Sequence, residues 1–561
     1  MTADFLLPPG LILILAGLLL LVLSHALRNI VLIIAPLLVL WLVWQLPDGN
    51  LVTYQYLGFE LTPLAVDPLA RLFATVFAIA AATGGLFAFN QMKTTELASA
   101  FVYAGSAIGV VFAGDLITVF VFWEVMAIAS TLVIWSGGVS AQAAGQRYAV
   151  IHFLGGVLLM AGIAGEVMQT GSIAFAAMEA NSWPRWLILA GFLINAGAPP
   201  LGAWVSDAYP QASWSGTVFL SAFTTKTAVY VLMRTFPGTE ILIYIGVFMI
   251  FYGIVYAILS NDIRRILAFS IISQVGYMVV GVGIGSETSL NGAATHAFVH
   301  IIYKALLLMT AGAVIYQTGK SKSTDLGGLF KTMPFTMVCA VIGALAISAF
   351  PWTSGYIAKS FVSKGIGEYG IAWLWFATTA ASASAFLYVG IRYPWLVFFH
   401  KESGLRPSEP PKTMILAMGI LAVLCVAIGV YPYPLYDLLP YELHLKADKT
   451  GPIVAQLQLL LFSGLAFFIL LPILKNKNTI ALDFDWFYRG FGKLLRREFD
   501  GLTLNLWLKI ALSAQELAKG AINKVYRWHG PGGLFAESWT TGRMAFLTTV
   551  LLGIYLIVYF L

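Results

Sequence analysis

The chain has 561 residues, of which 59% are hydrophobic and only 10% charged. A soluble protein would carry roughly a quarter charged residues. Here apolar runs long enough to cross a hydrocarbon core of about 30 Å recur from end to end. The net charge of +6 fits Lys and Arg gathered in loops on one side of a membrane, and no basic, aromatic-interleaved tract points to nucleic acid.

In chain order, the candidate spans lie near 11–27, 29–46, 69–89, 97–113, 115–135, 148–168, 186–198, 214–234, 241–260, 265–284, 293–316, 334–350, 371–398, 412–431, 453–473 and 543–561. One or two are half-spans, so the sequence predicts an all-α polytopic membrane protein of about 14–16 transmembrane helices. A β-barrel would show short alternating segments instead. The opening LLPPGLILILAGLLLLVLSHALR has no basic stretch before its apolar run and no small-residue cleavage site, so it reads as a retained first span.

Glu124 lies near the middle of GDLITVFVFWEVMAIASTLVIW, with no basic residue within a turn. An ionisable residue inside a span marks a functional site by default. Burial disfavours its charged form, so it becomes a group that can exchange protons. The alternative role is a helix-packing hydrogen bond. NAGAPPLGAWVSDAYPQAS, at 195–213, is dense in Pro, Gly and Ser. Non-helical backbone at membrane depth is tolerated only where protein or a water-filled cavity covers it. Lys226 follows in GTVFLSAFTTKTAVYVLM, among threonines whose hydroxyls can loosen a helix. Its alternative is a lysine reaching the headgroups.

His296, His300 and Lys304, in ATHAFVHIIYKALLLMTAG, follow one another at four-residue spacing. They therefore line one stripe, with about 6 Å of rise between neighbours. Such a row suits handing protons along, by side chains or one intervening water. A metal on the histidine pair lacks further ligands nearby, and a haem would need histidines on different helices. Polar packing is the remaining alternative. Lys359 follows a break marked by Pro351 and Gly355; its alternative is a lysine at the span end, since Lys364 beyond it reads as interfacial. Glu166, Arg147, Arg234 and Arg264 fall near span ends; Arg392 is ambiguous, and His152 reads as a hydrogen-bonded structural histidine.

Residues 475–540 interleave charges with Trp, Phe, Tyr and Leu. A helix over 481–529 would be roughly 70 Å long and amphipathic enough to lie along a surface. Cys339 and Cys425 are isolated, and no phosphate-binding or CxxC motif exists. The chain therefore reads as binding no cofactor and no metal of its own.

Four motifs together resemble the antiporter-like proton-channel family, which includes the D-type component of Mrp antiporters, the large antiporter-like subunits of respiratory complex I and counterparts in membrane-bound hydrogenases. They are GDLITVFVFWE; APPLGAWVSDAYPQAS followed by TTKTAVYVLMR; NDIRRILAFSIISQVGYM; and HAFVHIIYKALLLMTAG followed by GYIAKSFV. The resemblance implies two inverted five-helix repeats, each with a broken helix. The implied organisation is 1–96 as N-terminal transmembrane helices, 97–284 and 285–398 as the repeats, 399–474 as C-terminal transmembrane helices, 475–540 as the amphipathic segment and 541–561 as the last span. It also implies that Glu124 pairs with Lys226, that His296, His300 and Lys304 form the central hydrophilic axis, and that Lys359 carries protons at the exit. Arg264 stands where the family often has lysine and cannot deprotonate. Tyr209 stands where many relatives have histidine. Lysine at 359, where some complex I relatives carry glutamate, leans toward the Mrp branch.

The resulting expectation is a proton-translocating subunit of a multisubunit Na⁺/H⁺ antiporter, working through the six residues Glu124, Lys226, His296, His300, Lys304 and Lys359. Its partners would be other membrane subunits, H⁺ and a cation such as Na⁺ or K⁺, in a bacterial cytoplasmic membrane. The second reading is the same channel in a redox-driven complex. A third, of another class, is a scaffold or quinone-binding subunit that transports nothing.

Overall fold

A computed structural model describes residues 7–443, 450–474, 483–530, 533 and 539–560. They form two units, residues 1–485 and 486–561. Fourteen described helices are long and apolar enough to cross a membrane.

The first unit begins with α1 (Pro9–Leu20) and α2 (His25–Gln45), then a β-hairpin of β1 (Gly49–Tyr56) and β2 (Phe59–Val66). The helices α3 (Pro68–Phe87), α4 (Thr94–Phe112), α5 (Leu116–Trp135) and α6 (Val139–Thr170) follow. Next come α7 (Trp183–Ala196), the short α8 (Trp204–Ala208), and the pair α9 (Gly216–Ala222) and α10 (Thr224–Thr235), parted only at Phe223. The centre consists of α11 (Ile241–Leu259), α12 (Ile263–Ile284) and the 32-residue α13 (Glu287–Thr318). A second interrupted span, α14 (Pro334–Ile347) and α15 (Ser354–Tyr369), precedes α16 (Ala372–Ala385). That helix continues through α17 (Arg392–Pro394), with π-helical turns on both sides at Phe386–Ile391 and Trp395–Phe399. Beyond it lie α18 (Lys412–Val430), α19 (Tyr433–Tyr436) and α20 (Thr450–Leu474). The second unit holds most of α21 (Asp485–His529) and α22 (Thr541–Phe560).

Two expectations change. The first span is shorter than 11–27, because α1 ends at Leu20 after 12 residues. At 1.5 Å per residue it covers about 18 Å. It packs closely on α4: a Cβ on Gly10 would lie 2.5 Å from Gly105 O, and one on Gly105 2.5 Å from Gly10 O. The second change is the hairpin inside the supposedly all-helical N-terminal region. Its turn, Leu57-Gly58, has positive φ at both residues, 50° and 84°, as the tight turns favoured in hairpins require. The long C-terminal helix starts at Asp485, and residues 475–482 of the segment lie outside the described residues.

α13 runs through the middle of the first unit. From Ser289 to Val314 every residue is buried, which a helix in contact with lipid would not show. Its apolar residues pack on α3, α9, α12, α14, α15 and α18. This position lets a helix carrying ionisable groups remain away from hydrocarbon.

The two ends of the first unit differ in charge. Lys93, Arg264, Arg265, Lys320, Lys322, Lys331, Lys401, Arg406 and Lys412 lie at the end away from the hairpin, which is the basic end. At the hairpin end, Arg71, Arg185, Arg234 and Lys364 each pair with a carboxylate, Asp48, Glu166, Asp67 and Glu368 respectively. Arg392 is buried within the helices and donates to the carbonyls of Ala257 and Ser260, capping the end of α11. His152 stacks on Tyr148 at 4.0 Å between ring centroids and meets the Trp204 edge at 4.6 Å, a packed position.

Gly105→Leu should lower the thermal stability of the purified protein by about 1–3 kcal/mol, the usual cost of overpacking. Gly367→Ala, where an added methyl meets nothing within 4 Å, should leave the melting temperature unchanged or slightly raised. A melt in detergent compares the two.

Candidate proton pathway

The two interruptions place the two outer lysines. Helix ends leave carbonyls without intrahelical partners and carry partial negative charge. Lys226, three residues past Phe223, donates from Nζ to Ser221 O at 2.6 Å and to Thr225 Oγ1 at 3.0 Å. Lys359 donates to Ile347 O at 3.1 Å and to Ser382 Oγ at 3.3 Å. Each ammonium thus binds a carbonyl in the last turn of the half-helix before its break, α9 or α14. Lys226 is fully buried, and Lys359 is 7% exposed.

Between them lies the row on α13. Lys304 Nζ donates to Ser270 Oγ at 2.5 Å. His296 Nε2 lies 3.2 Å from both Gln274 Oε1 and Tyr303 OH. The rings of His296 and His300 are 6.2 Å apart, and Tyr303 meets His300 edge-on at 5.2 Å. Tyr277 carries the row onward: its ring is 6.0 Å from His296, and Lys359 Nζ sits 5.5 Å from the Tyr277 centroid. His296, His300 and Lys304 thus share one buried stripe of α13, and Tyr277 extends it toward Lys359. Among the described residues, both nitrogens of His300 lack a hydrogen-bond partner, leaving the ring free to accept or donate within that stripe.

Ser270, Gln274 and Tyr277 belong to the site although nothing in the sequence singled them out one by one. They recur at i, i+4 and i+7 along α12, close to the period that draws attention to the histidines. Each faces a member of the α13 row or its continuation. Ser382 and Tyr303 carry no such signal: one lies in an alanine-rich helix and the other reads as an ordinary aromatic.

Glu124 departs from the expected arrangement. Among the described residues no ion pair joins it to Lys226, whose Nζ is bound by the break itself. Glu124 Oε1 instead lies over Gly156 of α6 without a hydrogen-bond partner. A Cβ at Gly156 would sit 1.9 Å from that oxygen, so the carboxylate in this position rests against bare glycine backbone.

Lys359 also borders a cavity of about 570 Å³ between α15, α16 and α20. Its lining is mostly apolar, with Ser360, Ser363, Lys364, Thr379, Ser382 and Gln456 adding polar groups. The cavity lies on the α15 side of the break, toward the hairpin end. Among the described residues no group of three or more His, Cys, Asp or Glu is placed to hold a metal ion.

Comparison with known proteins places the chain. Residues 113–384 match the family model described as NADH:quinone oxidoreductase/Mrp antiporter, TM. A curated relative, the D subunit of the Na(+)/H(+) antiporter of Alkalihalophilus pseudofirmus, is 33% identical over 349 residues, 55% of this chain and 69% of the relative. The N subunit of the NADH-quinone oxidoreductase of Desulforudis audaxviator is 27% identical, across 66% of this chain and 82% of its own. Among solved structures, the Mrp complex from Dietzia sp. DQ12-45-1b superposes with a TM-score of 0.77 at 21% identity, covering 92% of this chain and 62% of that one. A chain of the archaeal membrane-bound sulfane sulfur reductase gives 0.72 at 24% identity, covering 98% and 99%. The chain belongs to the NADH:quinone oxidoreductase/Mrp antiporter membrane family: it is an integral membrane subunit of the proton-translocating, antiporter-like kind. Its structural neighbours come from multisubunit membrane complexes.

Gln274→Leu would leave both His296 Nε2 and the Tyr303 hydroxyl without that acceptor. Proton transport by the assembled complex should fall roughly tenfold or more, with a stability loss of about 1–3 kcal/mol. Pyranine fluorescence in proteoliposomes and a thermal melt read the two effects.

Proposed function

We propose that this chain is the D-type component of a multisubunit Na⁺/H⁺ antiporter in a bacterial cytoplasmic membrane, and that it moves protons through Lys226, Lys304, His300, His296 and Lys359, with Glu124 as a carboxylate facing Lys226's half of the path. One observation carries the reading: both outer lysines rest on carbonyls at helix breaks, and a buried polar row on α12 and α13 spans the distance between. The identity with the corresponding antiporter component of Alkalihalophilus pseudofirmus supports the choice of complex.

The basic end is cytoplasmic in this reading, since Lys and Arg concentrate on that side in membrane proteins. The cavity beside Lys359 then opens toward the external half of the membrane. A proton reaching Lys359 would exchange with water there through Ser360 and Ser363. Moving one charge across 100 mV involves about 2.3 kcal/mol. A change of about two pKa units in a relay member corresponds to about 2.7 kcal/mol. Modest rearrangement of the groups around Lys226 can therefore gate a proton at the scale of the membrane voltage.

A second reading places the same channel in a redox-driven complex. The end-to-end correspondence with the sulfane sulfur reductase chain favours it, since there the whole chain is matched. Co-purifying proteins separate the two: small hydrophobic antiporter subunits for the first, iron–sulfur proteins for the second.

Lys226→Ala and Glu124→Gln are the direct test of the pathway. In an assembled complex, Lys226→Ala should abolish proton-coupled transport and Glu124→Gln should reduce it at least several-fold. Intact transport in both variants would refute the pathway. A scaffold or quinone-binding subunit would show that result, and would lose only assembly when Lys304 or Lys359 is neutralised.

A further inference from the structure

A buried carboxylate outside the polar line stands at the basic end. Glu96 lies in the first turn of α4 and is fully buried. Its Oε1 accepts from Ser213 Oγ at 2.6 Å, Ser215 Oγ at 2.5 Å and Gln91 Nε2 at 3.2 Å, while Oε2 has no partner. One carboxylate oxygen is thus tied to three donors while the other carries no protein partner among the described residues.

The two serines locate this group relative to the lysine. Ser215 immediately precedes α9, the half-helix whose end holds Lys226. Seven residues beyond Glu96 on the same face of α4, Tyr103 reaches the other end of α9. Its hydroxyl is 2.6 Å from Thr224 Oγ1 and accepts the Thr224 N–H at 2.9 Å. Thr225 is the next residue, and its hydroxyl accepts from Lys226 Nζ. One stripe of α4 thus meets both ends of α9, with a carboxylate toward the basic end and a phenol bonded to Thr224, two residues before Lys226. Seven residues of helix place the two about 10 Å apart along the axis, the length of a short chain of waters.

Resting on the pathway reading above, we propose that Glu96 is a proton-carrying residue that loads Lys226 from the basic end through Tyr103 and Thr224. Glu96 takes a proton from the aqueous side and releases one inward. Each water, and the hydroxyls of Tyr103, Thr224 and Thr225, accepts one proton and gives up another. The neutral amine of Lys226 receives the last, so one proton enters for each one delivered and no bond to carbon changes. Lys93, just before α4, is the charged group that acts on Glu96. Nearby, Arg28 of α2 donates to Thr94 Oγ1, and Arg264 of α12 donates to the carbonyls of Ala212 and Ser213.

The test uses the complete complex in proteoliposomes, with proton uptake followed from pH 6 to about 9. Glu96→Gln retains an oxygen acceptor for both serines but cannot carry a proton. It should slow uptake about tenfold and remove the limb of the pH profile that the carboxylate supplies. Glu96→Asp should recover most of the rate, and Tyr103→Phe should slow uptake comparably. Wild-type rate and pH profile in Glu96→Gln, with loss of assembly only in Glu96→Ala, would show a structural tie and overturn the proposal. In that event Lys226→Ala still decides the pathway: inactivity there leaves it standing without Glu96, and activity there removes both.

Discussion

The pathway depends on lysine ammonium groups being hydrogen-bonded by helix ends within the membrane. Removing an ion from water costs several kcal/mol even after the protein relaxes. A hydrogen bond involving a charged group returns about 1.5–3 kcal/mol. Lys226 and Lys359 each make two, one to a carbonyl at the end of a half-helix. These bonds take the place of the water an ammonium would otherwise bind at that depth. In the proposed pathway Glu124 would act on Lys226 without a direct ion pair.

The rest of the first unit follows from protecting such groups. α13 could not carry two histidines and a lysine while facing lipid, and it is enclosed along nearly its whole length by other helices. The unpaired nitrogens of His300 have the same cause: an enclosed stripe has more donors and acceptors than its neighbours supply.

Much of this was legible in the sequence because expensive residues stand out against an apolar background. Lys226, His296, His300, Lys304 and Lys359 were identifiable from their depth within spans, and all five are buried. The breaks were readable from threonines beside Lys226 and from Pro351 and Gly355. What escaped has equally physical reasons. Ser270 and Gln274 cost little in a helix and look like ordinary packing residues one at a time. Glu96 stands at a span end, where a charge is normally solvated; only tertiary packing against Ser213 and Ser215 buries it. The absence of a direct Glu124–Lys226 ion pair among the described residues was unreadable because it turns on side-chain direction, with Glu124 resting over Gly156. The hairpin at 49–66 was hidden in a region scanned for long apolar runs, although VTYQYLGFELTPLAV alternates as a strand pair does.

The short link between α12 and α13 has a mechanical consequence. Ile284 ends one helix and Glu287 begins the next, with Gly285 in the left-handed region at φ 72° making the reversal. Both stripes that meet along the central row therefore belong to one helical hairpin. Its connection is too short to let one helix slide past the other. Ser270 meets Lys304, and Gln274 meets His296, because that link fixes the phase of the two helices. One residue added within α13 ahead of His296 would rotate the row by about 100° relative to that link, turning His296 and Lys304 away from Gln274 and Ser270 at once. The centre of the proposed pathway is thus indexed by one hairpin, whereas its two ends are set by contacts between distant parts of the chain.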